Sequence, residues 1–205
     1  MSEEGGDDAD TAAGEADTTA SEAARLAIVL DYLPHGRSDD DRPQYQKSPV
    51  AQVLTVDGFG LFELVFADDE SVSIGDEVSI DPPPSAVERV RRVDFDALSG
   101  GARSELEPVV RELLEADEDR LVEFYNEAGP ITLRLHQLNL LPGIGDKLRD
   151  DILDARKRQP FESLVDLEER ISGLHKPEEI VVERVMEELR DEDVKYKLFA
   201  RRDDG

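Results

Sequence analysis

The chain has 205 residues and a formal net charge of -26, from 50 acidic and 24 basic side chains, and it contains no cysteine. The length suits one or two compact domains, and the missing cysteines exclude a disulfide framework, thiolate chemistry and cysteine-built zinc sites. The longest purely apolar run, residues 26–30, falls far short of the roughly 20 residues that a membrane-spanning helix needs.

Residues 1–24 offer Ala, Asp, Glu, Gly, Ser and Thr after the first Met, and eight of them are acids. Such a segment cannot bury enough apolar surface to offset its ordering entropy, so a disordered acidic tail is expected; nothing in it reads as a signal peptide. From Arg25 the texture changes to short β-rich runs separated by turn signals. "RLAIVLDYL" comes first. "PVAQVLTV" then alternates and ends at Asp57-Gly58, a strong hairpin dipeptide, with "FGLFELVFA" directly behind it. "SIGDEVSID" and "AVERVRRVDF" supply two more. Five short strands within residues 25–97 predict a small OB-like β-barrel, with an open five-stranded sheet as the alternative. The connection "PHGRSDDDRPQYQKSPV" is long for a hairpin loop, and long loops in compact domains are usually functional. It carries Arg37, Arg42, Tyr45 and Lys47, the cation-and-aromatic mixture that binds single-stranded nucleic acid, although Asp39, Asp40 and Asp41 dilute it.

Residues 98–192 read as an all-α domain, which makes the whole chain α+β. "SELEPVVRELLEAD" puts Leu106, Val109, Val110, Leu113 and Leu114 on one face, with Ser104 and Glu107 spaced as a capping box. "DEDRLVEFYNEAG" is a second helix stopped by Gly129 and Pro130, and "ITLRLHQLNL" a short third. Further helices are expected up to about Arg158, over "FESLVDLEERI", and over "PEEIVVERVMEELR", where Pro177 suits a first helical position. In residues 193–205, "DVKYKLFARR" alternates, with Val194, Tyr196 and Leu198 on one side, and predicts a C-terminal strand followed by a tail.

Between the third and fourth helices stands "LPGIG", residues 141–145, which resembles a helix-hairpin-helix turn. Its glycines free the backbone for positive φ and remove side chains from the approach of a ligand. The amides of Gly143, Ile144 and Gly145 would then face a phosphate at the positive end of the following helix, with Lys147 and Arg149 beside it. Ile144 would pack inward. Thirty residues on, "ISGLHKPEEIVV" repeats the pattern: Gly173 matches Gly143, Leu174 matches Ile144, and His175 replaces Gly145. The second copy would serve packing more than binding, and a purely structural role for both is the alternative. Asp146, Asp150, Asp151 and Asp154 set acid where a phosphate would approach. Even so, residues 134–160 hold six basic against four acidic side chains, and residues 193–202 four against one.

With these segments in view, residues 26–201 resemble a family of uncharacterised archaeal proteins that join an OB-like barrel to a helix-hairpin-helix domain. The strings that carry the likeness are "VLDYLPHGR", "RPQYQKSP", "GPITLRLHQLNLLPGIGDKL", "RKRQPFESLVDLEERI" and "KYKLFAR". The resemblance implies RNA binding and no established reaction. Six Lys against eighteen Arg, with Asp about as frequent as Glu, further suits a salt-loving archaeon. There molar salt shrinks the Debye length to about 3 Å and screens self-repulsion, so the acidity would report the solvent; an acidic interaction protein at ordinary salt is the alternative.

His35, His136 and His175 lie in three separate segments, and no metal-ligand, nucleophile-elbow, P-loop or dinucleotide motif occurs. The expected function is therefore non-catalytic nucleic-acid binding, RNA before DNA, by a cytoplasmic monomer without cofactor, metal or membrane association. A protein-docking module of the ribosome or transcription machinery is the second reading, and a hydrolase the third.

Overall fold

The computed structural model describes residues 24–37, 42, 43, 46–67, 72–191 and 193–200. The expected disordered tail lies, but for Ala24, outside the described residues, as does Tyr45.

Five strands, β1 (Arg25–Leu33), β2 (Val50–Thr55), β3 (Leu61–Phe66), β4 (Glu77–Asp81) and β5 (Val87–Arg92), form one curled antiparallel sheet in the order β4-β1-β2-β3-β5. Strand alternation decides which residues go to which face. Ala27, Val29, Ala51, Val53, Leu64, Phe66, Ile80 and Val87 fill the inner face as one cluster. Leu30, Leu54 and Leu61 point the other way and join the helical core. Alternation sends Val29 to the inner cluster and Leu30 to the helical core, and β1 shifts register against β2 at a bulge between Val29 and Asp31. The Asp57-Gly58 signal does close β2 onto β3, and buried Phe59 at its end enters the helical core.

Helix α1 (Gly100–Ala116) packs across β1, and α2 (Glu118–Glu127) follows after one residue. The expected capping box at Ser104 and Glu107 is not the start of α1. Ser99 is the N-cap, its side chain accepting from the Ala102 amide, so the helix begins at Gly100. The expected third helix is also absent: β6 (Pro130–Thr132) and β7 (Leu135–His136) form a small hairpin, then a 3-10 turn covers Gln137–Leu140. Gln137 closes that hairpin through its own amide to the Gly129 carbonyl and through its side-chain oxygen to the Gly129 amide. Three more helices follow: α3 (Asp146–Arg158), α4 (Leu164–Arg170) and α5 (Pro177–Arg190).

The described part of the C-terminal segment, 193–200, is no strand. Its amides go to a side chain instead of a ladder: Leu198 donates to Glu188 Oε1 (2.7 Å), and Phe199 and Ala200 both donate to Glu188 Oε2 (2.9 Å each). Glu188 is fully buried on α5 and also pairs with buried Arg184 at 2.8 Å. One apolar core runs from Leu30, Leu54 and Phe59 through the helices to Phe199 and Ala200, so sheet and helices pack on each other directly.

Candidate nucleic-acid interface

The two glycine turns match in detail. In the first, the Ile144 amide donates to the Leu141 carbonyl (3.2 Å); in the second, Leu174 donates to Ile171 (3.2 Å). Gly143 has φ +77 and Gly173 φ +92, the left-handed region that an L side chain resists. Leu141, Ile144, Ile171 and Leu174 are all buried. A Cβ on Gly173 would lie 3.8 Å from Leu148 of α3, so the copies touch.

Three expectations for this turn need correction. The Ile144 N–H is consumed by the turn bond to Leu141 and does not face outward. Gly145 is extended, with φ -81 and ψ -180, because it already serves as N-cap of α3; the positive φ belongs to Gly143. Arg149 is held down by its neighbours: it donates to Asp146 (2.7 Å), to Asp150 (2.8 and 3.0 Å) and to the Asn139 side chain (3.0 Å). Gly143, Gly145 and Lys147 are exposed and adjacent, and a Cβ on either glycine would meet open space.

Part of the basic excess around this turn, and nearby Arg170, has structural uses. Arg156 caps the end of α2 through the Tyr125 and Ala128 carbonyls at 2.9 and 2.7 Å. Arg170 does the same for α3 through Ala155 and Gln159 at 3.0 and 2.7 Å. In the C-terminal segment, Lys197 donates to the Glu188 carbonyl at 2.7 Å. Cations at helix C-termini complement both the orphan carbonyls and the dipole.

The β1–β2 loop forms the other half of the expected site. Arg37, Arg42 and Lys47 line two clefts that meet at Gly36 and Arg37. One, of about 560 Å³, is closed by Leu33, His35, Asp96 and Ser99. The second, of about 480 Å³, is closed on its far side by Glu88, Arg89 and Arg91 of β5. Lys47 donates to the Arg37 carbonyl at 3.1 Å and fixes the loop on itself. The glycine turns and this face belong to different parts of the fold, and neither cleft is lined by a residue of 141–149.

Sequence reasoning missed Arg89, Arg91, Gln52 and Glu63. A signal was available in β3, where alternation sets Glu63 on the same face as Leu61, the face that helices cover. Of the histidines, His136 is a local cap: its Nδ1 accepts from the Leu138 amide at 3.1 Å. Partial burial, helped by the Arg156 and Arg149 charges, lowers its pKa below the ordinary histidine value. His175 is exposed, 3.4 Å from Glu168, and His35 lines the larger cleft.

The family model described as "Protein of unknown function (DUF655)" matches residues 23–201. The uncharacterized protein MJ0038 of Methanocaldococcus jannaschii is 39% identical over 178 residues, which cover 85% of this chain and 79% of that one. The crystal structure of Af1531 from Archaeoglobus fulgidus, a DUF655 protein, superposes with a TM-score of 0.75 at 36% identity, over 86% of this chain and 99% of that chain.

Proposed function

Since the chain belongs to the DUF655 family, we propose that it is a non-catalytic nucleic-acid-binding protein that holds the phosphate backbone of single-stranded RNA. The observation that carries the reading is the lining of the two joined clefts. In a chain of net charge -26, Arg37, Arg42, Lys47, Arg89 and Arg91 gather on one side of the sheet. A cationic groove of this kind tracks a backbone and reads no bases. The curled five-stranded sheet with its long β1–β2 loop supports an OB-like interpretation, since that loop is where such barrels engage oligonucleotides. The duplicated turn supports a paired helix-hairpin-helix interpretation, with the exposed backbone at Gly143 and at Gly145 and Lys147 as a second phosphate contact. On this reading the protein works as a cytoplasmic monomer in the molar salt of a halophilic archaeon, and needs no cofactor.

Fluorescence anisotropy with a labelled single-stranded RNA, titrated across KCl concentration, tests it. Binding should weaken as salt rises, with a log–log slope near 0.7 per phosphate contacted. Failure to bind RNA at any salt overturns the reading. One observation favours protein docking as the second reading: Leu133, at the tip of the β6–β7 hairpin, is 106% exposed. If that tip docks onto ribosomal or transcription proteins, Leu133→Asp should abolish that association and leave RNA affinity unchanged.

A further inference from the structure

Glu63 is fully buried, on the helix-facing side of β3, and yet carries several hydrogen bonds to cations. Its Oε1 accepts from the Gln52 amide (2.8 Å) and from Arg37 NH1 (3.1 Å). Its Oε2 accepts from Arg91, through Nε at 2.7 Å and through NH2. Gln52 is itself pinned, donating to the Ala97 carbonyl (3.1 Å) and accepting from the Ser99 amide (2.8 Å). One carboxylate thus holds two guanidiniums.

Burying a carboxylate is expensive, and a well-packed apolar residue would often stabilise the same position more. The arrangement does, however, fix two arginines at the wall of a cleft. The Arg37 and Arg91 side chains are 23% and 45% exposed, and both line the 480 Å³ cleft with Arg42 and Arg89 on its rim. Arg91 turns one edge, Nε and NH2, to Glu63, which leaves its NH1 edge for the cleft. Lysine could not face both ways, because its ammonium is a point donor without a fork.

We propose that Arg37 and Arg91 form a phosphate-binding fork for a backbone phosphodiester of single-stranded RNA, and that Glu63 is its positioning residue. This rests on the nucleic-acid reading above and adds to it which groups meet the phosphate and what sets their geometry. Glu88 is the one acid among the described residues that line this cleft.

Charge alone and positioned charge predict opposite signs for Glu63→Gln. The substitution makes the cleft one unit more positive, so a diffuse Coulombic patch would bind RNA more tightly. A positioned fork should bind more weakly, by roughly tenfold, since it loses a charge-assisted geometry. Arg91→Lys keeps both the charge and an exposed surface position, and should lose about as much affinity as Arg91→Ala. Lys157→Ala, the same charge change at the end of α3, should shift affinity less than twofold by comparison. The direct readout is the Arg91 Nε–H resonance in an NMR titration with a short oligouridylate, which should move on binding in the parent and, at equal RNA concentration, move less in Glu63→Gln. If RNA binds the parent while Arg91→Lys and Glu63→Gln bind as well as it does, the fork is wrong and the nucleic-acid reading stands. If RNA fails to bind at all, inorganic phosphate is titrated in its place. A shift at Arg91 then keeps the anion site without the RNA, and no shift removes both.

Discussion

At Gly143 and Gly145 two glycines two residues apart make different demands. Gly143 sits at φ +77, where a Cβ costs about 1–2 kcal/mol even in open space. Gly145 is extended and equally open, so a side chain there strains nothing. Gly143→Ala should therefore lower the melting temperature through backbone strain, while Gly145→Ala should lower it only by the cost of a poorer N-cap residue. Gly145→Thr, about as good an N-cap as Gly, therefore probes ligand approach: unaltered RNA affinity in that folded variant would mean that the turn only packs. His136 gives a pH dependence. Its folded pKa lies below the ordinary value of about 6.5, so the unfolded chain binds the proton more readily. Its contribution is complete above that pH and is lost as pH falls below it, until the lowered folded value is passed. Urea melts at a series of pH values should show this loss, and His136→Asn, which retains an acceptor for the Leu138 amide, should abolish it.

Elements differed in how far their own sequence revealed them. The alternation of β2 and β3 and the Asp57-Gly58 turn are local signals, and the sheet follows them. Residues 131–140 carry a period of two in Ile131, Leu133 and Leu135 that belongs to the β6–β7 hairpin; Leu133 is exposed, so its apolarity misled a helical reading. The C-terminal alternation failed for a different reason. Its amides are recruited by Glu188 and its Tyr196 carbonyl by Arg184, partners on α5 that no local pattern reveals. Glu63 was hidden among 50 acids, and only its face on β3 distinguishes it. The loop cations Arg37, Arg42 and Lys47 were legible; their meeting with Arg89 and Arg91 depends on β5 returning beside β3. Glu188→Ala should leave buried Arg184 with only Glu187 (2.9 Å) and the Tyr196 carbonyl, and cost about 3 kcal/mol. Amide exchange at residues 198–200 should then rise from slow to nearly free, whereas slow exchange in that variant would show that packing alone holds the segment.

For the whole molecule, the continuous core and the charge act in opposite directions. A core reaching from Leu30 to Ala200 should make sheet and helices melt in one transition. A net charge of -26 opposes compaction, and screening relieves it. The melting temperature should therefore climb between about 0.1 M and molar KCl, as the Debye length contracts from about 10 to about 3 Å; a flat profile would show that the acids are mutually well separated or already paired. The tie between Glu188 and residues 198–200 also sets a timetable for biosynthesis. Phe199 and Ala200 leave the ribosome after the entire sheet and all five helices, so the nascent chain carries an unfinished core until that point. Ribosome-stalled chains arrested before Phe199 has emerged should accordingly be cut by protease within α5, and chains arrested well after it should resist.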